Sequence, residues 1–427
     1  LAQTSVEGPD GARPQVRSTV VRPSASVPAP VAWASVQTRF IPSTVSGRRT
    51  VTAAQAGSFA CAAGVSETVV LHPDSSSAAA TTATGAKRRR RDTPPGYRGG
   101  MQSEHEQTVG HLGEKAVLAR IFTALAGSST AEIGPGDDAA VLAAPDGRVV
   151  VSTDTLVHGP DFRLAWSTGF DLGWKSAAVN LADIAAMGAR PTALFVALAL
   201  PVDTDVAFVE ELARGLRNAC DELADGCAVE GGDLTASDTL TIAVTAVGVL
   251  DGRAPVLRSG ARPGDVVAVA GTLGAASRGL ALLFDRFRDA VGTPVPVDEA
   301  RLDATERVDL AAQLRPTPPV ALGPVAAAAG ATAMMDVSDG LLLDATRMAD
   351  ASEVTLALAP GLDDAALRGG EDHALLACFP SDRPLPDGFR AIGVLAARAD
   401  AAVTIGGTPA TGHLGWDPQR DWDARRG

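Results

Sequence analysis

A mixed α/β (α+β) fold in two domains is predicted by three features of this sequence. Apolar segments with helical and with strand spacing alternate from Glu114 onward. A loop crowded with Gly, Pro and Arg, "DGRAPVLRSGARPGD" (251–265), interrupts them midway and reads as a domain joint. The first hundred residues follow neither period.

The elements follow in order. "EKAVLARIFTALAG" (114–127) spaces its apolar residues as a helix, and "RVVVSTDTL" (148–156) reads as a strand. "DLGWKSAAVNLADIAAMGA" (171–189) is a long, mostly apolar helix stopped by glycine and by Pro191. "TALFVALAL" (192–200) is a strand, "DVAFVEELARGLRNACDELA" (205–224) an amphipathic helix and "LTIAVTAVGVL" (240–250) a further strand. Beyond the joint, "VVAVAG" (266–271) and "HALLACF" (373–379) read as strands. Helices are expected at 275–287, 318–331 and 338–352. The resulting division is an extension over 1–100, an N-terminal α/β domain over 101–252 and a C-terminal α/β domain over 253–427.

Composition narrows the function classes. A chain of 427 residues, 46% hydrophobic, 20% charged and only 4% aromatic, is globular. Residues 1–100 carry 12 basic against 5 acidic side chains, whereas the remainder carries 25 against 45. That acidic body argues against nucleic acid as a partner, since phosphate contacts need Lys and Arg. The extension is rich in Ala, Ser, Thr, Pro and Arg, ends in "KRRRR" (87–91) before Pro and Gly, and is expected to be disordered. It shows no secretory signal pattern, and Met101 reads as the natural start of the organised chain. Cys61, Cys220, Cys227 and Cys378 form no CxxC or Cys/His ligand spacing. No apolar run reaches the roughly 18–20 residues of a membrane span. A reducing cytoplasm is the expected location.

The chemistry concentrates in carboxylates flanked by Gly or Thr at the apparent ends of apolar segments. They are Asp137 and Asp138 in "GPGDDAAV", Asp154 in "STDT", Asp183 in "NLADIAAMG", Asp233 in "EGGDLTAS", Asp336 and Asp339 in "DVSDGLLLD", and Glu371 and Asp372 in "RGGEDHALL". Asn180 and Asp183 are three apart on an apolar helix, hence on one face. A carboxylate there is costly without a neutralising partner, and basic side chains nearby are few. Hard divalent cations suit such oxygen donors, with Ser152, Thr153 and Thr155 as further candidates. Any one motif by itself reads more readily as an ordinary surface turn or helix cap. Together they point to several Mg²⁺ ions holding a polyanion such as a nucleoside triphosphate. No P-loop and no GxGxxG occurs. "GTLGAASRG" (271–279) reads either as a phosphate cradle at a helix N-terminus or as a tight turn.

Taken in order, "GPGDDAAVL", "VSTDTLV", "DLGWKSAAVNLADIAAMGARP", "EGGDLTAS", "LRSGARPGD", "AGTLGAASRGL", "RPTPP", "MDVSDGLLLD" and "GGEDHALL" resemble the thiamine-monophosphate kinase family, from about Glu114 to about Trp416. The resemblance implies ATP-dependent phosphorylation of thiamine monophosphate to thiamine diphosphate by direct in-line transfer. It places Asp138, Ser152, Thr153, Asp154, Asp183, Asp233, Asp336 and Asp339 at the Mg²⁺ ions, with no catalytic residue beyond these ligands. Gly232, Asp233, Arg258 and Ser338 fall at ATP-binding positions, and Asp161, Glu371 and Trp416 at positions around the substrate. It also implies a homodimer whose N-terminal strands form a shared barrel, with no membrane or nucleic-acid partner. Three positions depart from the family pattern. Asp161 replaces a His, His373-Ala374 replaces Tyr-Glu, and the His after "GWD" is absent. Two other readings fit part of the pattern: another ATP-dependent member of the wider superfamily, or a non-catalytic thiamine-phosphate or nucleotide sensor.

Overall fold

The computed structural model describes residues 108–132, 134, 140 and 142–416, all within one compact unit spanning Arg90–Gly427. The extension, Met101, Asp137 and Asp138 lie outside the described residues, as does everything after Trp416. The elements are α1 (Val109–Leu112), α2 (Glu114–Leu125), β1 (Val150–Val157), α3 (Gly169–Ala186), β2 (Arg190–Leu200), α4 (Val206–Leu223), β3 (Ala228–Ala236) and β4 (Thr241–Val249). They continue with β5 (Val266–Ala270), α5 (Ala275–Arg286), α6 (Ala304–Leu314), α7 (Leu322–Ala328), β6 (Ala333–Val337) and α8 (Leu341–Ser352). Last come β7 (Val354–Leu358), α9 (Asp364–Arg368), β8 (Ala374–Phe379), β9 (Phe389–Ala397), β10 (Val403–Ile405) and β11 (Thr408–Pro409).

The fold is mixed α/β, as the alternation of periods predicts. A four-stranded sheet runs β1-β4-β2-β3 and a seven-stranded sheet runs β11-β10-β7-β9-β5-β8-β6. In the first sheet β1 and β2 lie antiparallel to β4, while β3 runs parallel to β2.

Helix α3 is the structural centre. It begins in a capping box between Thr168 and Asp171, and it is buried on nearly every side. A helix apolar all round belongs inside a core, and here both halves of the chain contribute to that core. Ala185 and Leu181 share one cluster with Ala246 of β4 and with Met334 and Ala377 of the second sheet. Helix α4 is ordinary by contrast: Val206, Val209, Leu212, Ala213, Leu216 and Ala219 recur at helical spacing on its buried face. The two helices approach so closely that a Cβ on Gly173 would lie 2.0 Å from the Leu212 carbonyl, and one on Gly215 2.1 Å from the Phe170 carbonyl. Alanine at either position would force the helices apart.

Two expectations change. The helix expected over 318–331 is shortened to α7, because Pro318 and Pro319 cannot continue a helical ladder and Gly330 adopts a left-handed turn at φ +87°. Asp154 and Asp233 lie inside β1 and β3, not at element ends. The glycines of "EGGD" serve the sheet: a Cβ on Gly232 would meet the Val196 carbonyl at 2.2 Å.

Candidate functional site

Strand alternation and one helix assemble the carboxylates. On β1, Ser152 and Asp154 point toward α3, where the Ser152 hydroxyl donates to Asp183 Oδ2 at 2.6 Å. The Asp154 amide donates to Asn180 Oδ1 at 3.1 Å, and Asn180 Nδ2 donates to the Ser176 carbonyl at 2.9 Å. The helical pair Asn180/Asp183 therefore locks the strand and presents a carboxylate beside it. From the second sheet come Asp336, at the end of β6, and Asp339, in the turn before α8. Asp336 Oδ2 faces His373 Nδ1 at 3.1 Å. Arg347 Nη1 donates to Asp339 Oδ2 at 2.6 Å and to Asp344 Oδ1 at 2.7 Å.

These charges perturb one another. Burial, then Asp336 and Asp154, push the Asp183 carboxyl up to about 7 against the opposing bond from Ser152. Asp154 is also raised, by burial and by Asp336 and Asp339, with His373 and its hydrogen bond to Asp183 pulling the other way. Burial followed by Asp336 raises Asp344 to about 7. Burial opposes charge on His373, but the hydrogen bond to Asp336 prevails and its value is raised. Among the described residues, no three His, Cys, Asp or Glu side chains are gathered tightly enough to hold an ion as they stand. The set is nonetheless of the right chemistry: carboxylate and hydroxyl oxygens, crowded and under-compensated, suit a hard divalent cation.

Beside the cluster opens a cavity of about 770 Å³, in whose wall stand Asp161, Phe162, Trp166, Phe284, Glu371 and Trp416. Glu371 holds φ +72° and its amide donates to the Ser338 carbonyl at 2.8 Å. Its carboxyl is pushed up by burial, yet Lys175 and His373 bring it below the ordinary value. Asp161 accepts from the Val157 amide at 2.7 Å and is raised by burial and by Glu371. The Trp416 amide donates to the Asp339 carbonyl at 2.8 Å, tying the cavity rim to the acidic turn.

The structure thus brings together Ser152, Asp154, Asp183, Asp336 and Asp339, and separately Asp161, Ser338, Glu371 and Trp416 along one cavity. Others stay apart. The Thr153 hydroxyl donates to the Val244 carbonyl at 2.9 Å and accepts from Thr245 at 3.2 Å, on the opposite face of β1 from Asp154. Gly232 and Asp233 sit on β3, three strands from β1 and so about 14 Å away across the sheet. Arg258 is exposed in the joint, its carbonyl accepting from Ser352 Oγ at 2.8 Å. The phosphate-cradle reading of "GTLGAASRG" is corrected. Asp372 accepts from the Gly274 and Ala276 amides at 2.6 and 3.0 Å, so an internal carboxylate already fills that helix N-terminus. Lys175 and Gln313 were not singled out from the sequence, although a lysine in the middle of an apolar helix was itself a signal.

Known proteins resemble this chain over most of its length. Residues 136–250 match the family model described as AIR synthase related protein, N-terminal domain. A thiamine-monophosphate kinase of Mycobacterium tuberculosis is 42% identical over 328 residues, covering 72% of this chain and 92% of that protein. One from Corynebacterium glutamicum is 42% identical over 320 residues, covering 70% and 91%. The crystal structure of thiamine-monophosphate kinase from Stenotrophomonas maltophilia K279a aligns with a TM-score of 0.58 at 34% identity, covering 69% of this chain and 96% of that one. A solved structure of AaThiL complexed with AMPPCP and TMP aligns at 0.55 with 29% identity, covering 71% and 96%. By its sequence and by its fold, the chain belongs to the thiamine-monophosphate kinase family.

Proposed function

We infer that this chain is a kinase that transfers the γ-phosphoryl group of ATP to the phosphate of thiamine monophosphate, giving thiamine diphosphate and ADP. One bond from the γ-phosphorus to the β-bridging oxygen breaks, and one to an acceptor phosphate oxygen forms. The observation that carries this reading is the juxtaposition of the Asp154/Asp183/Asp336/Asp339 cluster with the cavity of Glu371 and Trp416. Family membership gives it its substrates.

We propose Mg²⁺ as the cation, held by Asp154, Asp183, Asp336 and Asp339, with Ser152 alongside and Asp138 supplied from outside the described residues. Bound there, it would neutralise and align two polyanions that otherwise repel. The chain's own residues do the positioning. Ser152 and Asn180 fix the orientation of the Asp183 and Asp154 groups. Glu371 meets the positive thiazolium and Trp416 offers it an aromatic face. The acceptor phosphate is largely ionised near neutral pH, so no general base is required. Ser338, Arg258, Gly232 and Asp233 are proposed for ATP, the last two on the outer part of the sheet, and Asp161 for substrate. The Thr153 hydroxyl drops out of the proposed ligand set.

The homodimer with a shared barrel also belongs to this proposal. Exposed Val151, Thr153 and Thr155 on β1, and the edge positions of β1 and β3, support it. The division into 101–252 and 253–427 is proposed on the two sheets, and a cytoplasmic location on ATP as co-substrate. No helix among the described residues is long and apolar enough to cross a membrane. The test is to incubate the full chain with ATP, Mg²⁺ and thiamine monophosphate and to detect thiamine diphosphate by mass. Product that requires Mg²⁺ and the monophosphate, and is absent with free thiamine, is expected. No product under any of these conditions would overturn the assignment.

A further inference from the structure

Lys175 is buried on the mostly apolar α3, about one and a half helical turns before Asn180 and a little over two before Asp183. An ammonium withdrawn from water is strongly disfavoured unless it is paired and hydrogen-bonded. Its Nζ forms an ion pair with Glu371 Oε2 and donates to the Gln313 carbonyl at 3.2 Å. With the Gln313 amide turned so that both of its groups find partners, Oε1 accepts from Lys175 Nζ at 3.1 Å and Nε2 donates to the Ala276 carbonyl at 2.9 Å. Lys175, Gln313 and Glu371 all stand in the cavity wall.

Glu371 itself is held from both ends. Its backbone sits at φ +72°, anchored through its amide to Ser338, and the next residue, Asp372, is bonded to the start of α5. Only its carboxylate head has freedom left, and Lys175 takes that freedom away. Across the cavity stands a second carboxylate, Asp161, which raises the cost of a loose, uncompensated Glu371.

We propose that Lys175 is a positioning residue for substrate selection: it clamps one oxygen of Glu371 so that the other is presented, as a fixed anion, to a ring bearing permanent positive charge. This rests on the proposed function, which assigns Glu371 to the thiazolium. The lysine acts through Glu371 and not on the reacting phosphates, so its loss should be felt in recognition of the cationic ring and not in handling of ATP.

The test uses the full chain with Lys175→Met, Lys175→Arg, Glu371→Gln and the double variant Lys175→Met/Glu371→Gln. Each is assayed with thiamine monophosphate and with its analogue in which a neutral thiophene replaces the thiazolium. Lys175→Met is expected to raise KM for thiamine monophosphate roughly tenfold, less than for a fully buried charge pair because the Glu371 side chain is partly open to solvent. Its KM for ATP should stay within about twofold, and its preference for thiazolium over thiophene should collapse. Lys175→Arg should recover most of the loss. An unchanged or lowered KM for thiamine monophosphate overturns the proposal, as does an equal fall in kcat with both substrates. Should Lys175→Met fail to fold, the double variant, which removes both charges, is compared with Glu371→Gln alone. Its KM for thiamine monophosphate should match that of Glu371→Gln, because the lysine acts only through the glutamate, and a further rise of about tenfold overturns the proposal. Absence of thiamine-monophosphate turnover in the unaltered chain would instead strike at the proposed function, so the two failures are distinguishable.

Discussion

Asp372 and Asp183 are both carboxylates withdrawn from water, and the chain treats them differently. Asp372 is raised by burial, but it accepts amide hydrogens from Gly274 and Ala276 at the first turn of α5. Asp183 receives one hydroxyl, from Ser152, and otherwise faces Asp336 and Asp154, which together with burial carry it to about 7. A carboxylate answered by backbone amides ties two segments together. One answered mainly by other carboxylates destabilises the protein that holds it, a cost that a bound cation would relieve. On the proposed function, the difference separates a structural acid from one that binds a ligand, although both lie in acidic, glycine-marked or alanine-rich motifs.

The largest expected effect comes from neutralising the second kind. Asp154→Asn or Asp183→Asn should lower kcat for thiamine diphosphate formation by on the order of 10³-fold while leaving the cation-free protein at least as stable, measured by turnover and by thermal melting. Near-normal turnover in both variants would break the comparison. Asp372→Ala should do the reverse to stability. With two buried amides left unpaired at α5, unfolding by urea should show a loss of about 2–3 kcal/mol.

The third expectation concerns pH. A carboxyl whose folded value lies near 7, against about 3.9 in the unfolded chain, binds protons more readily when folded. Its contribution to stability is therefore present at low pH, is lost as pH rises from about 4 to about 7, and stays lost above. Cation-free Asp183→Asn should show a shallower fall across that window than the unaltered chain, and Mg²⁺ should restore the unaltered chain at pH 8. Equal slopes would mean that the cluster does not repel itself. The smallest effect is expected at Asp161, which is open to solvent at the cavity wall although its carboxyl is partly enclosed and accepts from the Val157 amide. Asp161→Asn should change KM for thiamine monophosphate by about threefold, as for a screened surface charge.

Much of this was legible in the sequence because local pattern and tertiary role coincide. The apolar run around Asn180 and Asp183 reads as a buried helix, and α3 is one; "STDT" reads as a strand facing it, and β1 is one. What the sequence hides is long-range. Asp372 caps α5 from 98 positions away, and only that contact shows that "GTLG" has no vacancy for phosphate. Lys175 finds Glu371 across nearly two hundred residues. Short buried strands such as β6 and β7, five residues each, carry no period long enough to register. The Gly-Asp pattern that "EGGD" shares with the other motifs does not reveal that sheet order sets β3, and Asp233 with it, on the far edge from β1.

Cation binding by the carboxylate cluster is tested by Mn²⁺ binding in electron paramagnetic resonance, with Mg²⁺ as competitor, in the unaltered full chain and in Asp154→Asn/Asp183→Asn. With a nucleotide analogue present, the unaltered chain should remove the free-ion signal, Mg²⁺ should restore it, and the double variant should bind at least tenfold more weakly. Equal Mn²⁺ binding by both chains would place the cation elsewhere and contradict the account.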